Sequence, residues 1–353
     1  MIYFRKIKNL KIIKNIKFIF KKNYRVLKKI TYFFTYILVV IFIVPYITTG
    51  IMTLDLGKEE YLDDLDDLDN LDIINNLDII NNDLNANTSN GENSDLNNFE
   101  YYILGVVGAE MPISFNEEAL KAQAIAGRTY AYKRIDDINQ IVDHTSIGQA
   151  YDSLDDLKTK WGNNFDSYYD KLYNAIYETQ GIIMTYNDEP IEAVFHSTSA
   201  GITELSENIW GQNLPYITHV DSSVDEQAPN FIYSIDVSNA EIIQKISSQY
   251  SSINANNIIE SFEILERSDA DYVLNVQVDN VNISGRDIRT LFGLRSSNFS
   301  IVKNEDSITF MTKGYGHGAG MSQYGANFMA QDGSTYVEIL NHYYTGIDLQ
   351  KVY

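Results

Sequence analysis

The sequence predicts an α+β fold. Strand-like and helix-like segments alternate after about residue 99 without the regular period of repeated βαβ units, which argues against a doubly wound sheet. The roughly 250 residues beyond Asn98 are enough to bury an ordinary core, and the chain has no Cys to staple one. Ahead of this part stand three N-terminal stretches of different character.

Residues 1–29 hold eleven Lys or Arg and no acid, and the next 25 residues, 30–54, are uncharged. A run of that length can span a bilayer as a helix, which needs roughly 20 apolar residues. The basic flank predicts that its N-terminal side stays in the cytoplasm, so the chain after Leu54 is expected to be extracytoplasmic. A cleaved signal peptide is the rival reading, but the apolar run is long and no A-x-A site follows it.

Residues 55–98 are Asn- and Asp-rich, with L-D-D-L-D-D-L-D-N followed by two copies of L-D-I-I-N-N. Leucines at 62, 65, 68 and 71 recur every three residues, a spacing that drifts around a helix and builds no stable apolar stripe. The stretch reads as a solvated, self-repelling linker. All 48 acids of the chain fall after Leu54, against 16 of its 27 Lys and Arg. Such a balance argues against nucleic-acid binding, and a bound polyanion would need a local basic groove. The lack of Cys removes disulfides and thiolate metal ligands.

From Phe99 the chain reads as globular. Tyr101 to Ala109 is apolar and short, so periodicity leaves helix and buried strand both open. A helix is expected to begin near Ser114 or Asn116 and run to about Lys133, because Ser114 with Glu117 has capping-box spacing and Phe115 with Leu120 has staple spacing. Its small-residue stripe would place Gln123 and Arg128 near a packed interface. Phe165 to Thr179 is helix-like and stopped by Gly181, and Ile182 to Tyr186 with Ile191 to His196 flank N-D-E-P as a hairpin. Farther on, Phe231 to Val237 and Tyr272 to Val278 are strand-like. Ala240 to Ser251 and the stretch V-N-I-S-G-R-D-I-R-T-L-F-G are helix-like.

Three polar clusters stand out. In A-E-M-P, Glu110 lies against a Pro turn beside the small-residue helix, and burial in apolar surroundings would raise its carboxyl pKa toward that of a transferable proton. A surface acid is the plainer alternative. H-S-T-S-A-G begins at His196, and G-Y-G-H-G-A-G-M-S-Q-Y-G-A runs from Gly314 to Ala326. Alternating glycines there bring backbone N–H groups and polar side chains close to a ligand, or else build a structural hairpin. The segment matches neither a P-loop nor a dinucleotide fingerprint.

Taken together, A-E-M-P with E-A-L-K-A-Q-A-I-A-G-R-T-Y-A, then H-S-T-S-A-G, then G-H-G-A-G-M-S-Q-Y-G-A, in this order over residues 99–353, resemble the stage II sporulation protein D family. The resemblance implies a membrane-anchored peptidoglycan lytic transglycosylase that cleaves the bond between N-acetylmuramic acid and N-acetylglucosamine, leaving 1,6-anhydro ends. It also implies action in forespore engulfment from the mother-cell engulfing membrane, alongside an amidase-endopeptidase and a membrane scaffold protein. Glu110 becomes the catalytic acid, and Arg128, His196, Ser197, Ser199, His317, Ser322, Gln323 and Tyr324 become candidates for gripping the glycan. For Arg128 a structural ion pair stays open, and for His317 a turn residue held by its own glycines.

No cofactor or metal is assigned. Some members of the family carry a Cys-containing metal site after the catalytic helix, where this chain has D-H-T-S-I-G-Q-A-Y, with His144 and no Cys. The resemblance extends to amidase enhancers, so a glycan-binding activator that does not cut is the runner-up. A metal-dependent hydrolase is the third reading.

Overall fold

The computed structural model describes residues 96–135 and 148–353. The basic segment, the apolar run, the linker up to residue 95 and His144 therefore lie outside the described residues. Among the described residues no helix is long and apolar enough to cross a membrane. Leu96 is already in the core and Asn97 caps the first helix by accepting the Glu100 N–H, so the folded part begins at least three residues before the expected boundary.

The architecture is α+β. Helix α1 (Asn98–Glu110) is apolar on nearly every side and packs on α2 (Glu117–Tyr132) and on α4 (Phe165–Glu178), with the short α3 (Leu154–Trp161) alongside. Burial all round leaves no 3.6-residue stripe, which is why the sequence could not separate helix from strand there. Asn116 is the N-cap of α2, and Phe115 and Leu120 are both buried beside it. A three-stranded antiparallel sheet, in the order β11 (Asp348–Lys351), β1 (Ile182–Tyr186), β2 (Glu189–Pro190), packs on α2. The β1–β2 turn places Asn187 and Asp188 at positive φ, as a two-residue hairpin turn requires.

The second strand of that hairpin is shorter than expected. After Pro190 the chain leaves β1, and β3 (Phe195–His196) runs parallel to β10 (Met321–Ser322) instead. The short α5 (Ser206–Trp210) follows β3. Helices α9 (Gln323–Gln331) and α10 (Tyr336–Tyr343) return to the first core, where Asn116 donates its backbone N–H to Asn327 Oδ1 and its Nδ2 to the Ala330 carbonyl.

Between β3 and β10 the chain builds a second hydrophobic core. One sheet orders β4 (Ile232–Ser238), β9 (Ser307–Lys313) and β8 (Phe299–Lys303), and another orders β5 (Glu263–Arg267), β6 (Val273–Val278) and β7 (Val281–Ser284), both antiparallel. Helix α6 (Asn239–Gln249), capped by Ser238, the single turn α7 (Ile258–Ser261) and α8 (Gly285–Phe292), capped by Ser284, cover them. The stretch expected as one helix from Val281 is thus a strand followed by α8.

Candidate active site

Glu110 is the last residue of α1, and the chain turns extended at Met111, whose N–H bonds back to the Val107 carbonyl. Helix ends of this kind carry partial negative charge. The Glu110 side chain is half-buried, and its Oε1 accepts the Ala150 N–H at 2.8 Å. The segment that supplies this N–H comes close because residue 105 is glycine: a Cβ there would strike Tyr151 and the Asp152 carbonyl. The Asp152 N–H in turn bonds to the Gly105 carbonyl at 3.2 Å.

Two turns before Glu110 on the same helix lies Tyr102. Its ring stacks on Tyr151 with centroids 5.7 Å apart, and its hydroxyl donates to Gln149 Oε1 at 3.3 Å. Burial, and then the charge of Glu110, push the Tyr102 phenol above its ordinary pKa, so it stays a neutral donor beside the carboxyl.

Gln323, the first residue of α9, donates through Nε2 to the Glu110 carbonyl at 3.0 Å and to Gln123 Oε1 at 3.4 Å. Three segments distant in sequence, 98–110, 149–151 and 321–324, therefore meet at Glu110. Around the site the buried atoms Gln123 Nε2, Gln149 Nε2 and His196 Nε2 have no hydrogen-bond partner in the protein. Buried polar atoms normally do, so each is a place for water or a ligand group.

The other predicted residues divide into two groups. His196 is buried and donates from Nδ1 to the Ala319 carbonyl at 3.0 Å, which leaves Nε2 with the lone pair. Burial lowers its pKa to about 4, with Arg289 adding to the effect. His317 is half-buried, its ring 5.5 Å from that of His196, and its Nδ1 accepts the Ala319 N–H at 3.1 Å. Burial first, then His196 and Arg289, hold it well below the usual histidine range. Ser197 bonds to Thr198 Oγ1 at 3.3 Å and its carbonyl accepts the Tyr324 N–H. The Tyr324 ring meets the edge of Phe115 at 4.9 Å. These four, with Gln323, lie on or beside the paired strands β3 and β10 and the Gly-rich segment.

Arg128, Ser199 and Ser322 do not. Arg128 is fully buried; Nε and Nη2 donate to the two oxygens of Glu100 at 2.9 and 2.7 Å, and Nη1 to the Ile182 carbonyl. It is a core ion pair that a glycan does not reach, which corrects the expectation of a glycan contact. Ser199 and Ser322 are buried against Asp225, whose Oδ2 accepts the Ser199 N–H and the Ser222 hydroxyl while Oδ1 accepts the Ser322 hydroxyl. Burial raises the Asp225 carboxyl to about 6 despite these donors. Through Asp225 the H-S-T-S-A-G and M-S-Q-Y segments are tied together.

Tyr272 closes the arrangement from the second core. Its hydroxyl accepts the Ala200 N–H at 3.1 Å, and Gly318, at φ +86°, lets the loop pass so close that a Cβ would strike the phenol. Sequence reasoning missed Tyr102, Gln149, Asp225 and Tyr272. Gln149 lies in the stretch compared with the family's metal site, but the others carry no local signature. Among the described residues no three His, Cys, Asp or Glu side chains group as metal ligands.

A family model described as "Stage II sporulation protein" matches residues 90–186. Stage II sporulation protein D of Bacillus amyloliquefaciens is 39% identical over 259 residues, covering 71% of this chain and 74% of the relative. That of Bacillus subtilis is 38% identical over the same shares. An amidase enhancer of Bacillus subtilis is 27% identical over 297 residues, 69% of this chain and 40% of the relative. On an identity of this level over most of both chains, with Glu110 and the Gly314 to Ala326 segment brought to one place, the chain belongs to the stage II sporulation protein D family.

Proposed function

We propose that this member of a family of sporulation proteins is a peptidoglycan lytic transglycosylase with Glu110 as its acid and base. The observation that carries the reading is a single half-buried carboxyl that accepts the Ala150 N–H, on a residue whose backbone carbonyl is fixed by Gln323 and beside which lies the neutral Tyr102. Glu110 would give its proton to the glycosidic oxygen as the bond to the muramic anomeric carbon breaks. The carboxylate would then take the proton of the muramic 6-hydroxyl as that oxygen closes on the same carbon, so no water enters and the proton returns to where it began. One carboxyl suffices for this sequence, whereas an ordinary glycoside hydrolase uses a pair.

The Ala150 N–H steadies the carboxylate between the two transfers. In this reading the basic N-terminal segment and apolar run anchor the chain in the mother-cell engulfing membrane, with the acidic linker holding the domain on the far side. An amidase-endopeptidase that strips stem peptides and a membrane scaffold are the expected partners. The similarity to an amidase enhancer supports a second reading, in which the cleft binds glycan and activates a partner without cutting.

Mass spectrometry of glycan digested in labelled water separates these readings. The transglycosylase leaves 1,6-anhydro muramic ends without label. Labelled reducing ends would mean hydrolysis, and no cleavage by the purified chain would favour the enhancer.

A further inference from the structure

Beyond the His196 and His317 rings an exposed indole stands beside two arginines of α8, which also carries Asp287 between them, acting on Tyr250. Trp210, at the end of α5, is 40% exposed and meets His317 edge to face, with ring centroids 5.1 Å apart. Arg286 and Arg289 lie one turn apart on α8, and Arg286 Nη1 donates to the carbonyl of Ile209, the neighbour of Trp210. In a chain of net charge −21, the charges acting on His317 are those of Arg289 and Arg286, with His196 beside them. The acids on α5 and just before it are otherwise engaged: Glu204 is buried with the Leu205 N–H, Asn208 and Ser268, and Glu207 accepts from Asn213.

An exposed indole beside guanidiniums suits a sugar that carries a carboxylate. The π face takes the C–H face of a pyranose ring, and guanidinium pairs with carboxylate through two parallel hydrogen bonds. His196 adds an independent observation. It is 4% exposed, stays neutral, and presents a buried Nε2 lone pair with no donor in the protein, as a site for an amide or hydroxyl of a sugar would. His196 pairs in register with Ser322, the residue before Gln323, so the patch and the Glu110 anchor flank one pair of strands.

We propose that Trp210, His317, Arg286 and Arg289 form a second glycan subsite that stacks a muramic residue on the indole and pairs its carboxylate with the guanidiniums. The inference rests on the glycan reading of the Glu110 site and adds to it a preference for acidic strands. The carboxylate can come from the bare lactyl ether of a stem-free strand or from the stem peptide.

The test is equilibrium binding by the full-length chain carrying Glu110→Gln, which keeps strands intact. The probes are peptidoglycan strands with stems, the same strands stripped of stems, and uncharged chitooligosaccharides of equal length. Both muramic strands are expected to bind more tightly than chitooligosaccharides, and whichever of the two binds better identifies the source of the carboxylate. Adding Trp210→Ala should weaken all three probes by at least about tenfold, as loss of a buried aromatic anchor does. Adding Arg286→Ala, an exposed change, should weaken muramic strands several-fold more than chitooligosaccharides and so remove much of the preference. Equal weakening of charged and uncharged probes by Arg286→Ala, unchanged binding in Trp210→Ala, or no preference for muramic strands would each overturn the subsite. Product analysis of the unsubstituted chain reads the transglycosylase proposal separately, since these measurements involve no cleavage.

Discussion

The core around α1 and α2 draws residues from Leu96 to Ile347, nearly the whole described chain, and is rich in alanine where α2 crosses its neighbours. The second core uses only Val237 to Phe310 and centres on Phe310, ringed by Phe262, Phe292 and Phe299 with centroids 5.3 to 5.9 Å away. Small residues let backbones approach closely, so the first region can hold Glu110, Gln123 and Gln323 in one place. Large rings fill a volume by themselves, so the second region is packed mostly by its own sequence. It meets the Gly-rich segment and its neighbours through the Phe231 and Arg295 carbonyls, which accept the Gly314 and Gly316 N–H groups, and through Tyr272. On the proposed function the first region would do the chemistry and the second would shape what is bound.

The sharpest way to break that division is Glu110→Gln. It keeps size and hydrogen bonding but removes the titrating group, so turnover should fall by at least ~100-fold while strand binding persists. Turnover near the unsubstituted rate would take the chemistry away from the first region.

Arg128→Met should cost about 3–5 kcal/mol, because Glu100 is left buried without its partner. Denaturant unfolding measures this, and activity per folded molecule should hold. Unchanged stability with lost activity would return Arg128 to the glycan. Phe310→Ala should destabilise by a similar 3–5 kcal/mol. If the two cores unfold as one, both probes of unfolding shift together; if only the second opens, near-ultraviolet signals from Trp161 in the first core stay at their original midpoint.

A smaller effect sits at the join. The Asp225 carboxyl, raised to about 6 by burial, binds its proton more tightly folded than unfolded, so its share of stability is present below about pH 4 and is lost as pH rises to 6. His196, lowered to about 4, works the other way: its share is lost as pH falls from 6.5 toward 4. The two slopes oppose each other over the same window. Asp225→Asn should therefore make stability climb more steeply from pH 4 to 6 than in the unsubstituted chain, by on the order of 2–3 kcal/mol over the window. Parallel profiles would mean that Asp225 titrates normally. Smallest of all, Met311→Ser on the exposed face of β9 should change stability by no more than about 0.5 kcal/mol.

Part of the second region was legible, where an element announces itself within one window, whereas β5, β8 and β9 were not read and β7 was taken as helix. The strand at 232–238 and the helix at 239–249 show alternation, then a Ser cap, then 3.6-residue spacing within one short window. The first region was harder. Strand β3 pairs with residues far away, so the hairpin read from N-D-E-P was drawn too long, and nothing local marks a parallel partner. The helix inside the Gly-rich segment was missed although Ser322, its cap, stands in plain view. Glu110 was legible because its neighbours form a distinctive motif. Arg128 was not, because its partner Glu100 lies 28 residues away on another helix. Asp225 is one acid among 48, and only burial between two serine-bearing segments sets it apart.

The bond from Gln323 to the Glu110 carbonyl joins residues 213 positions apart, and His196 meets Ala319 across 123. Closing loops of that length costs entropy before any contact repays it, and contacts so distant form late on the way to the native state. While the chain is still being made, Glu110 is present but Gln323 and the loop before it are not yet in place. On the proposed function, a lytic activity assembled in this way would switch on only when synthesis and folding are complete, so a truncated or stalled chain would carry the motif around Glu110 without its partner Gln323.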